Sequence, residues 1–248
     1  MIMYLIAMVY GIWAIPELIG GQTVRNTSGW AMTHLFVLGW ATMVAMGASY
    51  QLTQVLLRTS IYSRALGFVH YCFYVVGFIT LTMSFTLHAY QWVAVGGAMV
   101  LIGVLVYTFN IAMTFISRKE WNHFHFGVTL SLLHLLLTIM LGLFMGLSFA
   151  VGWVPPVSYD HIFTAHIWFG IGGWMSGLIL TYSFKLLPMF YNSPRKATAE
   201  AYVILGLFHG GIWLRLIAAW SELRPLEIVS YLLLTASIFM FVRYVREV

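Results

Sequence analysis

Apolar runs of 18 or more residues recur along this chain from end to end, with only short polar breaks between them. A run of that length crosses the hydrocarbon core of a bilayer as a helix, because in lipid every backbone N–H and C=O must be satisfied within the spanning structure. No polar stretch is long enough to build a soluble domain. The composition agrees, with 61% of residues hydrophobic, 8% charged and a mean hydropathy of +0.90. The fold class that follows is all-α, a polytopic membrane protein. The apolar pattern marks eight spans, at roughly 3–20, 30–57, 65–86, 91–116, 127–150, 161–190, 200–220 and 226–245, joined by connections rich in turn-forming residues. The first run lacks a basic flank and a small-residue cleavage pattern, so it reads as a retained helix and not a signal peptide.

An even number of spans puts both termini on one side. Arg58, Arg64, Arg118, Lys119, Lys185, Arg195, Lys196, Arg243 and Arg246 fall on or near that side, and Arg25, Arg215 and Arg224 toward the other. The positive-inside rule therefore makes both termini cytoplasmic, and the expected location is the inner membrane of a bacterium. The net charge of +5 has this topological cause and does not point to nucleic acid. Cys72, the single cysteine, excludes disulfides, zinc ribbons, covalent haem attachment and a two-cysteine copper centre.

Chemistry concentrates in residues 159–192. Counting from His166, Gly170, Gly173 and Gly177 follow at +4, +7 and +11, on one face of a regular helix. An imidazole above a strip without side chains suits a flat macrocycle lying against the helix; the same spacing also serves close packing of two membrane helices. His34, His88, His161 and His166 lie near the outer surface, and His70, His134 and His209 lie deeper, where a histidine often bonds simply to its neighbours. His123 and His125 form an HxH pair that a helix start would splay apart.

A shift of 132 residues places His34 on His166, Met43 on Met175 and Tyr50 on Tyr182. Small residues follow His34 too, with Ala41, Ala45 and Ala48 on its face. The chain thus reads as two tandem four-helix units, 1–120 and 121–248, related by pseudo-twofold symmetry. Two imidazoles facing across that axis would make a bis-histidine haem site. Arg215 and Arg224, with Arg25, are candidate partners for haem propionates, or for Glu222, Glu227, Asp160 or Glu17 instead.

THLFVLGWATMVAMGASYQLTQVLLRT resembles the second helix of haem-copper oxidase subunit I, and TAHIWFGIGGWMSGLILTYSFKLLPMF resembles its tenth, with Pro188 lying 22 positions after His166. The resemblance implies a small, copper-less relative, of NnrS type or like a subunit I reduced to its first and third four-helix blocks. In the family the tenth helix carries an HxH pair, one histidine for each haem. Here Trp168 takes the second place, and His166 falls on the high-spin ligand. No HH pair is present, so the copper site of the family is not expected.

The reading that follows is a haem-binding membrane protein of b-type cytochrome character. One haem b would be held between His34 and His166, with His88 or His161 as substitutes and Gly170, Gly173, Arg215 and Arg224 around it. Its role would be electron transfer or, with one axial position open, chemistry of nitric oxide or oxygen. It would be a possible oxidoreductase component and not a copper-dependent oxygen reductase. Its partners would be lipid, a quinone (with Glu17 or His88 taking protons) or redox subunit, and a second copy in a homodimer. A haem carrier or assembly factor is a further reading. The plan is similar to that of haem A synthase, but that family's cysteine pair is missing. A cofactor-free transporter or structural subunit is the alternative from another class.

Overall fold

Each apolar run is a helix. The computed structural model describes residues 2–20, 25–118, 121–154, 157–195 and 199–248, with Glu17, Leu18 and Arg118 described by backbone alone. Lys119 and Lys196, which contribute to the charge bias, lie outside the described residues, as do the side chains of Arg118 and Glu17. The helices are α1 (Ile2–Gly20), α2 (Thr27–Leu57), α3 (Arg64–Thr86), α4 (Val93–Arg118), α5 (His123–Val151), α6 (Tyr159–Phe190), α7 (Ala199–Ser221) and α8 (Arg224–Arg246). No strand forms among the described residues. Seven helices, α2 to α8, are long and apolar enough to cross a membrane, and α1 carries a shorter apolar segment, Ile2–Pro16. That is the build of a multi-pass membrane protein.

Local chemistry sets the helix ends. The Asn26 Oδ1 accepts the Gly29 N–H at 2.8 Å to start α2, and the Ser63 Oγ accepts the Leu66 N–H at 3.2 Å to start α3. At the other end, Arg58, His88 and Asn192 turn left-handed just past α2, α3 and α6. In each case the following N–H reaches back to a carbonyl of the last turn, as Thr59 does to Gln54 at 3.1 Å.

Pro188 sits inside the last turns of α6 and has no N–H to give to the Phe184 carbonyl one turn earlier. The Tyr244 hydroxyl of α8, fully buried, donates to that carbonyl instead at 3.4 Å. The orphaned acceptor is thereby satisfied from a different helix.

The chain divides into two compact units, Met1–Ser117 with Gly142–Pro156, and Arg118–Leu141 with Val157–Val248. The later part of α5 thus groups with the first unit, unlike the sequence blocks 1–120 and 121–248. The reason is packing: Gly97 lies against Leu143, and Gly146 against Val93.

In the first unit α3 and α4 approach backbone to backbone. A methyl on Gly77 would lie 2.6 Å from the Val100 nitrogen, and one on Gly96 would lie 2.6 Å from the Leu81 nitrogen. Backbone atoms cannot move aside as side chains do. Gly77→Ala should therefore push the helices apart and destabilise the protein by about 1–3 kcal/mol, the usual range for overpacking. A thermal melt in detergent checks this. Nearby, the Asn110 amide closes the α2–α3 connection: its Nδ2 donates to the Ser63 carbonyl at 2.9 Å and its Oδ1 accepts the Ser63 N–H at 3.0 Å.

In the second unit the core is built by α6, α7 and α8, with Phe169, Leu180, Phe184, Ile204, Leu205 and Ile212 at its centre. α8 packs on α7 and buries Ser237, whose hydroxyl donates to the Ile204 carbonyl at 2.9 Å. Its other face leaves Ile228, Leu232 and Phe239 outward, an arrangement that suits lipid.

Candidate functional site

The two helices that the sequence singles out share an irregularity. Three residues after His34, α2 widens into a π segment, Val37–Thr42; two residues after His166, α6 does the same over Trp168–Ser176. A π segment carries i→i+5 bonds and leaves a carbonyl short of its usual partner, and such segments gather at functional sites. In α2 the Tyr74 hydroxyl of α3 donates to the Leu38 carbonyl at 2.9 Å. Gly39, within the same segment, leaves the space that the Phe78 ring fills. In α6 the Gly177 N–H bonds to the Gly172 carbonyl, five residues back, and the Ser176 hydroxyl donates to the Ile171 carbonyl at 3.0 Å.

The two histidines are anchored alike. His34 Nδ1 lies 2.7 Å from the Trp30 carbonyl, and His166 Nδ1 lies 2.8 Å from the Thr138 carbonyl of α5. A carbonyl oxygen only accepts, so in each ring Nδ1 carries the hydrogen, and in the neutral form the lone pair is on Nε2. This is the tautomer and the second-shell bond of a metal-ligating imidazole. Both rings are half-buried, and His34 packs against Phe85 at 5.4 Å between ring centres.

The glycine strip is filled by side chains. A methyl on Gly173 would collide with the His134 ring and lie 2.6 Å from its Cβ. One on Gly177 would lie 2.6 Å from His209 Cε1 and 2.7 Å from Ser131 Oγ, and one on Gly170 would lie 3.1 Å from the Thr138 methyl. The strip is a packing surface for α5 and α7, which is the second of the two uses its spacing allows.

The remaining candidates are dispersed. Arg215 Nη2 pairs with Glu227 at 3.2 Å and Nε donates to the Tyr231 hydroxyl at 3.1 Å, while the guanidinium lies 5.9 Å from the Trp168 ring centre. Of the acidic partners open to Arg215, Glu227 is the one it meets. Arg224 opens α8 and is exposed. His88 occupies a left-handed turn after α3, exposed, with Nδ1 3.0 Å from the Tyr90 hydroxyl. His161, in the first turn of α6, stacks on Trp220.

Of the deep histidines, His70 lies among the rings of Tyr50, Tyr74 and Tyr107, with centres 5.2 to 5.9 Å away. His134 and His209 meet directly, Nδ1 to Nδ1 at 3.1 Å. Sequence reading saw both as deep but did not pair them, since they sit on different helices with no fixed spacing. The available signal was Gly173 and Gly177, which leave room for two rings. His123 and His125 open α5, both buried, with His125 stacked on Trp121.

Among the described residues no three His, Cys, Asp or Glu side chains gather to hold a bare metal ion. A tetrapyrrole brings four nitrogens of its own, so one or two imidazoles are enough for it. His34 and His166 each present, within its own unit, an imidazole of the kind that could take one axial position of a haem, whereas Gly170 and Gly173 are covered by Thr138 and His134 and leave no bed for it. Comparison with known protein families, with curated proteins and with solved structures gives no match for this chain.

Proposed function

We infer that this chain is a haem-binding protein of b-type character in the bacterial cytoplasmic membrane, with eight spans in two tandem four-helix blocks of pseudo-twofold symmetry and both termini in the cytoplasm. The observation that carries the reading is the shared anchoring of His34 and His166. Each donates Nδ1–H to a backbone carbonyl, each keeps its lone pair on Nε2, and each stands just before a π segment. The resemblance of these two helices to the ligand-bearing helices of haem-copper oxidase subunit I supports the same reading.

A bound haem supplies a one-electron ferric–ferrous couple. His34 and His166 would ligate iron through Nε2, and the Trp30 and Thr138 carbonyls would hold the rings in orientation and raise their basicity. Arg215 of α7, beside Trp168, brings a cation against the helix that carries His166, where a propionate would compete with Glu227 for it. With imidazole on both faces of iron the role is electron transfer, to or from a quinone or a redox subunit.

The test is an absorption spectrum of the detergent-purified chain, oxidised and then reduced with dithionite, with and without carbon monoxide. Sharp reduced α and β bands that ignore carbon monoxide are the expected result. A carbon monoxide shift would move the role to binding nitric oxide or oxygen. No Soret band after haem is supplied would return the chain to the cofactor-free class of transporters and structural subunits.

A further inference from the structure

The pair formed by His134 of α5 and His209 of α7 is the most deeply buried ionisable contact among the described residues, with the side chains 0% and 2% exposed. The ring planes are inclined by 23° to each other, with centres 4.9 Å apart. Nδ1 of His209 faces Nδ1 of His134 at 3.1 Å. That is the arrangement of an N–H···N hydrogen bond. Both Nε2 atoms lack a hydrogen-bond partner among the described residues.

Neutral rings can share this contact in two mirrored ways. One Nδ1 donates and the other accepts, so the first ring has a bare Nε2 and the second has an Nε2–H. The dyad thus has one end that takes a proton and one end that gives a proton. Phe169 stacks on His134 at 5.2 Å between centres, Trp213 lies at 5.8 Å, and Phe208 meets His209 edge to face at 5.5 Å. Gly173, Gly177 and Ser131 complete the surroundings, and none of these residues carries a charge. His134 lies about 16 Å and His209 about 15 Å from the start of its helix, near the middle of a bilayer at 1.5 Å per residue. Two buried polar ends left unpaired there destabilise the fold, a cost that a pair of apolar rings would avoid. Ionisable groups kept at this depth mark ion and proton pathways.

We propose that the His134–His209 pair is a proton-relay site inside the membrane. An N–H bond forms at the bare Nε2 of one ring, the bridging proton crosses from its Nδ1 to the other Nδ1, and the N–H bond at the far Nε2 breaks. One proton enters, one leaves, no charge remains, and the two rings have exchanged tautomers. The reverse passage resets them. The transferable group is a proton delivered by water or by a hydroxyl, and no oxidant or metal is needed. The inference stands on α5, α6 and α7 alone and does not depend on haem.

The test is nitrogen NMR of the full chain, labelled with 15N-histidine and reconstituted in lipid. Two imidazoles should show coupling between their Nδ1 atoms across the hydrogen bond, and each should appear as an average of its two neutral tautomers. In His209→Phe, and equally in His209→Gln, the coupling and the averaging at His134 should both be lost while the signals of the remaining histidines stay. Two rings locked in single tautomers in the wild type, or no coupling between them, would overturn the relay. The wild-type spectrum decides the matter even where a variant fails to fold.

Discussion

Purified His166→Ala is expected to retain less than about a tenth of the haem of the wild type, while still inserting into the membrane. The loss follows from the bond removed. Altering only the partner that orients a metal-bound histidine costs about 10–100-fold in affinity, and this substitution removes the ligating nitrogen itself. Insertion should survive because His166 is half-buried and lies outside the α6–α8 core. His123→Ala is the control, since that ring is packed at the start of α5 between Phe184 and Tyr202, and its spectrum should match the wild type. Haem is measured as the pyridine haemochrome per mole of chain. One haem lost completely in His34→Ala and in His166→Ala alike would mean that both imidazoles serve a single iron. Full haem in the His166 variant would remove the basis of the proposed function.

The second large effect concerns Gly173→Ala. The added methyl would lie 2.6 Å from His134 Cβ, an atom fixed to its helix that no rotamer change can withdraw. The two helices must separate or His134 must leave His209, and overpacking of this kind costs about 1–3 kcal/mol or more. For a chain of this size that lowers the melting temperature by roughly 2–12 °C. Gly206→Ala is the matched comparison, on α7 with nothing within 4 Å of the new methyl. There the gain in helix propensity, up to about 1 kcal/mol, should leave the melting temperature unchanged or raised. Equal losses in both variants would show that the Gly173 contact is not what holds α5 against α6.

The spans were legible because the bilayer forces apolar length, and each expected run lies on a helix with ends within a few residues. His134 and His209, expected deep in their spans, are buried in the protein. Which residues share a face was less legible. The +4, +7 and +11 count from His166 assumes 3.6 residues per turn, and the π segment over Trp168–Ser176 interrupts that count along its whole length. Nothing in the composition of WFGIGGWMS announces a wider turn. Partners between helices were also hidden: the glycines at 173 and 177 signalled a close approach, but a sequence does not say whether a macrocycle, a helix or a pair of imidazoles comes close. Arg215 met Glu227, one of four acidic residues that the sequence left open to it.

The carbonyl of Phe184 that Pro188 leaves behind has a consequence for biogenesis. α6 enters the bilayer with that acceptor unsatisfied, and the hydroxyl that takes it, on Tyr244, is synthesised 60 residues later. Until the final turns of α8 have been translated and laid against α6, the C-terminal end of α6 must keep water on its backbone. The last turn of α8 therefore acts as a closing latch. A nascent chain halted before Tyr244 would hold all of α6 and α7 and still have a hydrated notch where the finished protein has a dry seam.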